Sequence, residues 1–570
     1  MSSLFHKKIV VALLIVFFSI IFGGGSGSAT TYYVATNGDD GGTGALSSPW
    51  RTVTFAIESS GPGDTVLVRG GTYQESVIMF KGGMRGRRQG LQRQQRQYIP
   101  HRGRQSRSRQ SLPRSHDRSR RNRFNNESTV SGEYWVLKAY PGEEVIIEGD
   151  GPLRIRVPYV RIEGLHFKDS GVGTVGRQSR GGAHHVEIVR NRFSGSGFRY
   201  GAISVNGDSI LVEGNILEIE EQGGTLDHGI YVHSGKGNII RNNYIAGTEG
   251  YGIHVFYQSG RGNRSASIIS GLLIEKNIIT NSRQRSGIII ATARGKKLIE
   301  KIIIRDNIIF NNRGDAIDLK PNIRDIEIYN NTIYGNQMGG LTLGLMAKMG
   351  GAIENVTVKN NIIVIHGADN YHIRSNPEVV KSAVVEHNLF WPGPFQNNKD
   401  LEVSGNIIAN PKFVNPQAFD FRLSSDSPAK GAGEKLQSAS VEALPDCGAW
   451  QIAGQNQQGV YLNTFHATPI GNVLKLGWST VFEEKQVGFE IERAKTGEKS
   501  HFEKVGFVQG NGPTVMFQDY QFLDENVGHG TYVYRLKEID KTGSVEYSPQ
   551  IEVNITGELS KTSKDVSQRD

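Results

Sequence analysis

The chain has 570 residues, of which 37% are hydrophobic and 21% charged, enough for roughly two to four domains on a prior of ~150 residues each. Its 71 glycines are far more than a helix-rich protein of this length carries, so the composition favours many tight turns. The single cysteine, Cys447, excludes intrachain disulfides and zinc sites made of cysteine thiolates.

The formal net charge of +9 comes from one stretch of the chain. Residues 82–126 hold 14 arginines and one acid, Asp117, so they carry +13 and the rest of the chain is at −4. This stretch has no hydrophobic period and few apolar residues, so it cannot bury a core. It is either a disordered basic arm that binds polyanions or a segment translated from the wrong reading frame. Nucleic acid is expected as a partner only if the segment is genuine.

The N-terminus has the pattern of an export signal. Lys7 and Lys8 precede an apolar run over 9–22, and small residues follow as far as Ala29. This run is too short to cross a hydrocarbon core of ~30 Å, so the pattern predicts a secretory signal peptide cleaved after Ala29. We expect a secreted mature protein, extracellular, periplasmic or on the cell surface, that is monomeric and has no transmembrane segment.

A short pattern recurs through the middle of the chain: an alternating strand, a polar residue, Asn, one residue, then an aliphatic or aromatic residue. A coil of three short strands needs roughly 20 to 30 residues, and stacked coils bury a continuous aliphatic interior. The repeat therefore predicts an all-β protein, a right-handed parallel β-helix (solenoid) of roughly eleven or twelve coils. Each Asn is expected at a bend, in the left-handed conformation, with a structural role. These asparagines are Asn191, Asn215, Asn243, Asn277, Asn307, Asn331, Asn361, Asn388 and Asn406.

Segments on either side of the repeat carry a family resemblance. Residues 32–73, which include the Gly-Asp-Thr-Val strand at 63–66, resemble the N-terminal cap of secreted parallel β-helix proteins related to pectate lyases. Residues 410–435 and the Asp-Cys-Gly-Ala run at 446–449 resemble the segment that closes such helices. The alternating strands of 459–555 look like a fibronectin type III-like module, a small β-sandwich with Trp478 in its core.

Together these patterns predict six parts. They are a signal peptide (1–29), an N-terminal cap with the first coil (30–81), the Arg-rich insert (82–127), the β-helix with its closing segment (128–452), the fibronectin type III-like sandwich (459–555) and a disordered tail (556–570).

Aligning the strands that lead into successive bends reveals two columns of outward side chains. Successive side chains of a strand point to opposite faces of the sheet. If the aliphatic side chains point into the helix, the side chain after each of them points outward, and those of adjacent coils lie ~4.8 Å apart. Residues distant in sequence then form one face of aromatic, imidazole, carboxylate and ammonium groups, which suits the binding of an acidic sugar chain. The alternative is an ordinary solvent-exposed sheet face, which would also be polar. The first column is Tyr231, His254, Ile289, Asp318, Thr342 and Arg374, and the second is His233, Phe256, Ala291, Lys320, Gly344 and Asn376.

The segment 312–320, Asn-Arg-Gly-Asp-Ala-Ile-Asp-Leu-Lys, is the sharpest local signal. It resembles, over fewer than ten residues, the strand of β-helical pectate lyases of family nine that supplies calcium carboxylates and a lysine base. The resemblance implies that Lys320 abstracts the proton alpha to a uronate carboxylate. It also implies that Asp315 and Asp318 hold a Ca²⁺ ion that neutralises this carboxylate. The run of consecutive aspartates that this family carries in a following coil has no counterpart here.

Other side chains of the face provide a metal-free alternative. The histidines and Tyr231 could supply acid and base, while Arg374 or Arg294 neutralises the substrate carboxylate. The remaining candidates would bind sugar units. The catalytic candidates are thus Lys320, His233, His254, Tyr231 and Arg374, and the substrate-binding candidates are His228, Tyr251, Phe256 and Arg294.

The predicted function is a polysaccharide lyase that cleaves an acidic, uronate-containing polysaccharide by β-elimination. A non-catalytic carbohydrate-binding or surface adhesion protein is the first alternative. A glycoside hydrolase or uronan epimerase on the same scaffold is another, and hydrolysis would need two carboxyl groups, such as Asp315 and Asp318, roughly 5 to 10 Å apart. A groove walled by the loops 258–270 and 292–301 would favour an enzyme, and a flat face would favour binding.

Overall fold

A computed structural model describes residues 29–555 except for a set of gaps. The predicted signal peptide (apart from Ala29), the Arg-rich insert and the tail therefore lie outside the described residues. The gaps are 76–78, 81–131, 150, 177–181, 199, 221–223, 225, 258–267, 294–297, 346–349, 368–369, 396–398, 436–444, 450–459, 471–472, 484–485, 497–500, 513, 515, 526 and 542.

Short strands follow one another along the chain, with one helix near the start. The first elements are β1 (Thr31–Val34), α1 (Val53–Ser59), β2 (Thr65–Val68), β3 (Gly71–Gln74), β4 (Met79–Phe80), β5 (Trp135–Ala139), β6 (Val145–Glu148), β7 (Leu153–Ile155), β8 (Val160–Glu163), β9 (His166–Lys168), β10 (Val172–Thr174), β11 (His184–Val189) and β12 (Arg192–Gly195). Next come β13 (Ile203–Asn206), β14 (Asp208–Glu213), β15 (Ile216–Ile219), β16 (Ile230–Lys236), β17 (Ile239–Arg241), β18 (Tyr244–Ala246), β19 (Ile253–Tyr257), β20 (Ile269–Glu275), β21 (Ile278–Thr280), β22 (Ile288–Thr292), β23 (Ile299–Arg305) and β24 (Ile308–Phe310).

The second half of the chain continues in the same way and then changes character. It contains β25 (Asp315–Leu319), β26 (Ile323–Tyr329), β27 (Thr332–Tyr334), β28 (Gly339–Leu343), β29 (Ile353–Lys359), β30 (Ile362–Val364), β31 (Tyr371–Ser375), β32 (Ala383–Glu386), β33 (Leu389–Trp391), β34 (Glu402–Ser404), β35 (Ile407–Ile408), β36 (Phe413–Asn415) and β37 (Asp420–Leu423). Longer strands follow: β38 (Val460–Ile470), β39 (Val473–Glu483), β40 (Gln486–Lys495), β41 (Glu503–Gln509), β42 (Gln518–Asp524), β43 (Gly530–Asp540), β44 (Val545–Tyr547) and β45 (Ile551–Ile555).

Strands β2 to β35 wind into parallel sheets, because each turn of the chain lays its strands on those of the turn before. Sheet I runs through β2, β5, β8, β11 and on to β34, and sheet III runs through β4, β7, β10, β13 and on to β31. Sheet II is 12-stranded, from β3 to β35, so the described chain makes twelve coils. The predicted all-β fold, a right-handed parallel β-helix followed by a small β-sandwich, is confirmed.

Aliphatic side chains of successive coils stack in the interior of the helix. The side chains of sheet III that were predicted to point into the helix are at most 2% exposed, so this prediction is confirmed. These residues are Ile230, Ile253, Ile288, Ile317, Leu341 and Ile373.

The nine repeated asparagines form a ladder along the bend between sheets I and II, and all of them except Asn406 are buried. Asn277 is typical: its Nδ2 donates to the carbonyl oxygen of Ile240 (2.9 Å), and its Oδ1 accepts from the Nδ2 of Asn243 (2.9 Å). The expectation that the asparagines adopt the left-handed conformation was wrong. The residue before each Asn has the positive φ, as in Lys276 (54°) and Asp306 (56°). The Asn side chains bond the adjacent coils and, in most cases, the carbonyl oxygen two residues earlier, as Asn243 does to Arg241 (2.9 Å).

A second ladder, made of alternating charges, lies beside the asparagines on the outer side of sheet I. Glu213, Arg241, Glu275 and Arg305 occupy equivalent positions of successive coils. The Nε of Arg241 donates to Glu213 at 2.8 Å, and the Nε of Arg305 donates to Glu275 at 2.7 Å. The two inner members, Arg241 and Glu275, therefore each lie between charges of opposite sign.

The N-terminal cap is held by carboxylates at the start of α1. Glu75 accepts hydrogen bonds from the backbone N–H groups of Val53 (2.6 Å) and Thr54 (2.8 Å), which have no acceptor within the helix. Asp40 bonds the backbone of Arg51 and Thr52 just before the helix.

The outer face of sheet II is apolar because the C-terminal part of the chain covers it. Phe421 packs on Phe310 and Tyr334, with ring centroids 5.4 and 5.0 Å apart. Farther toward the N-terminus the same strip meets Met516 and Phe517 of the sandwich. The residue that follows each repeated Asn is thus often aliphatic or aromatic because a second layer buries it.

The C-terminal module has two antiparallel sheets, one of β38, β39 and β42 and one of β40, β41, β43, β44 and β45. Trp478 is 1% exposed in its core, as predicted, and stacks on Tyr520 at 5.6 Å. Its likeness to fibronectin type III modules stays a prediction. Among the described residues, no helix is both long and apolar enough to cross a membrane.

Candidate functional site

The register of sheet III brings the first predicted column together. Tyr231 pairs with His254, His254 with Ile289, and Ile289 with Asp318 in successive coils. The pairing continues from Asp318 through Thr342 to Arg374. In the second column, Phe256 pairs with Ala291, and Lys320 directly follows β25. One outer face thus carries side chains that lie up to 143 positions apart in the sequence.

The N-terminal half of this face is a set of contacting rings, here called the ring cluster. Tyr231 and His254 are stacked with centroids 4.6 Å apart, and His228 meets His254 edge-on at 4.4 Å. The ring of His233 lies 3.7 Å from that of Tyr231. The members are Tyr200, His228, Tyr231, His233, Tyr251, His254 and Phe256.

Burial keeps the histidines of the ring cluster neutral. It lowers the pKa of His228 and of His233 to about 4 and that of His254 to about 2, with further lowering of His228 and His254 by the nearby charge of Arg285. The Nδ1 of His228 accepts a hydrogen bond from the backbone N–H of Tyr251 at 3.0 Å, as a neutral imidazole does. At neutral pH the ring cluster therefore presents aromatic faces and uncharged nitrogens.

The C-terminal half of the face is polar and is here called the charged cluster. The Nζ of Lys320 lies 2.7 Å from Oδ2 of Asp318, and both side chains are about nine-tenths buried, with 11% and 10% exposed. Asp315 accepts hydrogen bonds from the hydroxyls of Tyr371 (2.5 Å) and Thr342 (2.9 Å). The members are Asp315, Asp318, Lys320, Thr342, Tyr371 and Arg374.

Gly339 makes the contact between Tyr371 and Asp315 possible. It lies between them in the stack, with φ at +152°, so the Tyr371 side chain reaches back over two coils. A Cβ atom at this position would stand 2.7 Å from the carbonyl oxygen and 2.8 Å from a ring carbon of Tyr371. The glycine therefore gives Asp315 a phenol partner that the column alignment does not reveal.

One arginine lies at the border between the two clusters, and a second lies at the far end of the charged cluster. The guanidinium of Arg374 lies 4.0 Å from the ring centroid of Tyr371. Burial raises the pKa of Tyr251, while Arg285 lowers it and Asp318 raises it, so this phenol lies within electrostatic reach of both sides of the border. Sequence reasoning missed Arg285 and Tyr371, since neither belongs to the outward columns.

Some predicted features fall in the gaps. Arg294 lies outside the described residues, as do most of the two loops, 258–270 and 292–301, that were expected to wall a groove. A cleft of about 1310 Å³ does exist, but it lies between the early coils and the sandwich, where Glu144 and Tyr547 are among its walls.

Three buried polar atoms on the face have no hydrogen-bond partner among the described residues. They are Nδ1 of His254, Oδ1 of Asp318 and Nε of Arg374. Buried polar groups are nearly always satisfied, so such atoms are expected where a ligand completes the bonding. Their positions span the ring cluster and the charged cluster.

The charged cluster is a poor fit to the calcium ion that the resemblance implies. Ca²⁺ takes roughly six to eight oxygen ligands. Both oxygens of Asp315 are bonded to hydroxyls, and one oxygen of Asp318 is bonded to Lys320, which leaves one free carboxylate oxygen. Calcium stays a prediction, and no chemical step below depends on it.

A group of carboxylate and imidazole ligands does occur elsewhere in the described part of the chain. Glu386, His387 and Glu434 come together far from the face. Lys359 contacts both carboxylates, at 3.3 Å from Glu386, and so already supplies a positive charge there.

Comparisons with known proteins agree with this architecture. A family described as right handed beta helix region matches residues 160–414, and one described as a protein of unknown function (DUF1565) matches residues 36–78. A search of curated proteins finds no match.

Solved structures with a similar fold include three lyases. Pectate lyase Pel9A is 13% identical with a TM-score of 0.39, and the match covers 75% of this chain and 97% of that one. A rhamnogalacturonan lyase is 14% identical, with the same coverage and TM-score. A mannuronic acid specific polysaccharide family 6 lyase from human gut microbiota is 16% identical with a TM-score of 0.38, over 66% of this chain and 83% of that one. At such identities the likeness concerns the fold alone.

Proposed function

We propose that the protein is a secreted polysaccharide lyase that cleaves a uronate-containing chain by β-elimination on the outer face of sheet III. The observation that carries the proposal is the Lys320–Asp318 pair, with Nζ and Oδ2 2.7 Å apart in a nearly buried position. An amine held beside a carboxylate can remove a carbon-bound proton once it is neutral. The arginines beside it suit the negative charge of a uronate.

Asp318 positions the amine of Lys320. Burial raises the pKa of Asp318 more than the adjacent Lys320 lowers it. Its carboxyl group holds the Nζ of Lys320 at 2.7 Å, which fixes the position of the amine that removes the proton. This assignment keeps Lys320 as the base and gives Asp318 a positioning role.

The elimination then balances as follows. The amine of Lys320 takes the C5 proton of the uronate, the C5–H electron pair forms the C4–C5 double bond, and the C4–O bond breaks. The departing oxygen takes a proton from the hydroxyl of Tyr371. Arg374 and Arg285 stabilise the negative charge that builds on the carboxylate while the C5 proton is being removed.

The test is the absorbance of unsaturated uronide ends released by the purified protein, with calcium and with chelator. Lys320→Ala should lower kcat by roughly 10²- to 10⁴-fold, the usual contribution of a general base. Lys430→Ala is the matched control, because Lys430 is an exposed lysine outside the face. Tyr371→Phe should lower kcat while leaving the fold intact, since only the hydroxyl is lost.

Several outcomes would contradict the proposal. Full activity of Lys320→Ala would move the base to the histidines and Tyr231, and calcium dependence would restore the metal-assisted alternative. Binding without any unsaturated product would favour the non-catalytic carbohydrate-binding alternative. Inversion at C5 without chain cleavage would identify an epimerase.

A further inference from the structure

The binding face changes character at Ile289, which separates the ring cluster from the charged cluster. His254 is its partner in the preceding coil, and Asp318 is its partner in the next. A sugar chain that follows the helix axis passes from aromatic rings to ion-pairing groups over a few coils ~4.8 Å apart. Neighbouring sugar units therefore meet different chemistry.

The ring cluster is built for an uncharged unit. Its histidines are neutral at pH 7, and Tyr231 is 4% exposed beneath them. The buried Nδ1 of His254 can exchange a hydrogen bond with a sugar hydroxyl. A carboxylate placed over Tyr231 and His233 would lose hydration without gaining a cation, because the charge of Arg285 acts on His228 and His254 and not on these two rings.

The cations lie at the border and beyond it. Arg285 precedes β22, the strand of Ile289, and Arg374 lies two coils past Asp318 in the same column. Oδ1 of Asp318 and Nε of Arg374 lack partners among the described residues, so this half can still bind a polar ligand. A uronate fits here, next to the Lys320 amine.

From this division we infer that the substrate is a heteropolymer in which an uncharged sugar adjoins each uronate that is cleaved. The uncharged unit lies on the ring cluster, and the uronate lies between Arg285 and Arg374. This inference rests on the proposed function, because it concerns the same face. A polymer made only of uronates would place a uronate unit on the ring cluster in every register.

The experiment compares alternating and uniform polymers at equal uronate concentration. An alternating galacturonate–rhamnose backbone and hyaluronan represent the first class, and polygalacturonate and polymannuronate represent the second. We expect kcat/KM to be at least roughly tenfold higher on one of the alternating polymers, because a desolvated carboxylate without a partner is rejected. Equal or faster cleavage of a uniform polymer would overturn the inference and leave the lyase assignment standing.

A substitution inverts the preference if the inference is correct. His254→Arg adds a cation to the ring cluster, so it should raise cleavage of the uniform polymer relative to the alternating one. His529→Arg, at an exposed position of the sandwich, is the control. An unchanged ratio for His254→Arg would contradict the role of the rings.

If no polymer is cleaved, a measurement of binding distinguishes the lyase proposal from the heteropolymer inference. Affinity electrophoresis of Lys320→Ala on the same four polymers measures preference without turnover. If no polymer yields unsaturated ends but the alternating ones retard the protein more, the lyase assignment fails and the heteropolymer inference holds. If neither class is preferred, the inference fails.

Discussion

At the scale of single residues, the histidines of the ring cluster all have pKa values well below the usual value of a histidine. His228, His233 and His254 are bases whose neutral form the folded protein favours, whereas the unfolded chain takes up their protons near pH 6.5. Their contribution to stability is therefore complete above pH ~6.5 and is lost as the pH falls toward about 4.

His254→Phe tests this linkage. The substitution keeps a ring between Tyr231 and Phe256 but removes a group whose pKa is lowered to about 2. Between pH 7 and pH 4, wild type should lose on the order of 3 kcal/mol more unfolding free energy than the variant. Urea unfolding at several pH values measures the difference, with His529→Phe as the exposed control. Parallel pH profiles for wild type and His254→Phe would contradict the expectation.

At the scale of the element, the asparagine ladder joins the coils by side-chain hydrogen bonds in addition to the strand pairing. Asn277 is fully buried, and its amide bonds groups of both neighbouring coils. Removing one member leaves the backbone N–H of the preceding Asn buried without its acceptor, and such an orphan group costs about 1–3 kcal/mol.

Asn277→Ala should therefore destabilise the protein by about 1–3 kcal/mol, because the backbone N–H of Asn243 loses its acceptor, while its side-chain amide keeps the carbonyl oxygens of Val212 and Arg241. The measurement is chemical unfolding at neutral pH. Asn554→Ala, at an exposed position in β45, should change stability by less than about 0.5 kcal/mol. Equal effects of the two substitutions would show that the ladder adds no stability.

At the scale of the whole molecule, the sandwich packs against the β-helix partly through an apolar contact around Phe517, besides the hydrogen bond from the N–H of Ala467 to the carbonyl oxygen of Gly142 (2.6 Å). Phe517 lies 6.1 Å from the ring of Tyr244, and the guanidinium of Arg192 lies 5.1 Å from the Phe517 ring centroid. Arg192 also approaches Asp519 at 3.6 Å. This contact orients the sandwich on sheet II, away from the proposed substrate face on sheet III.

Phe517→Ala should loosen this packing without unfolding either part. We expect a larger radius of gyration in small-angle X-ray scattering and unchanged cleavage on the face of sheet III. Phe507→Ala is the control, because Phe507 lies on the sandwich with 40% of its surface exposed. An unchanged scattering curve for Phe517→Ala would mean that other contacts hold the two parts together.

The alternation of inward and outward side chains, together with the recurring Asn, was sufficient to predict the β-helix, its interior and the outward column from Tyr231 to Arg374. The sequence could not reveal Arg285, because it lies in a turn whose length varies from coil to coil. Tyr371 was missed because its contact with Asp315 spans two coils and is possible only because residue 339 is a glycine. Such contacts depend on the three-dimensional path of a side chain and not on its place in a repeat.

The alternating charges beside the asparagines constrain how a protein of this kind can change its length. Duplicating or deleting a single coil within the run would bring two like charges together, for example Glu213 beside Glu275 if the coil of Arg241 were lost. Duplicating or deleting two coils would keep the alternation. The ladder thus favours a change of length by pairs of coils, because only an even number of added or removed coils keeps opposite charges adjacent.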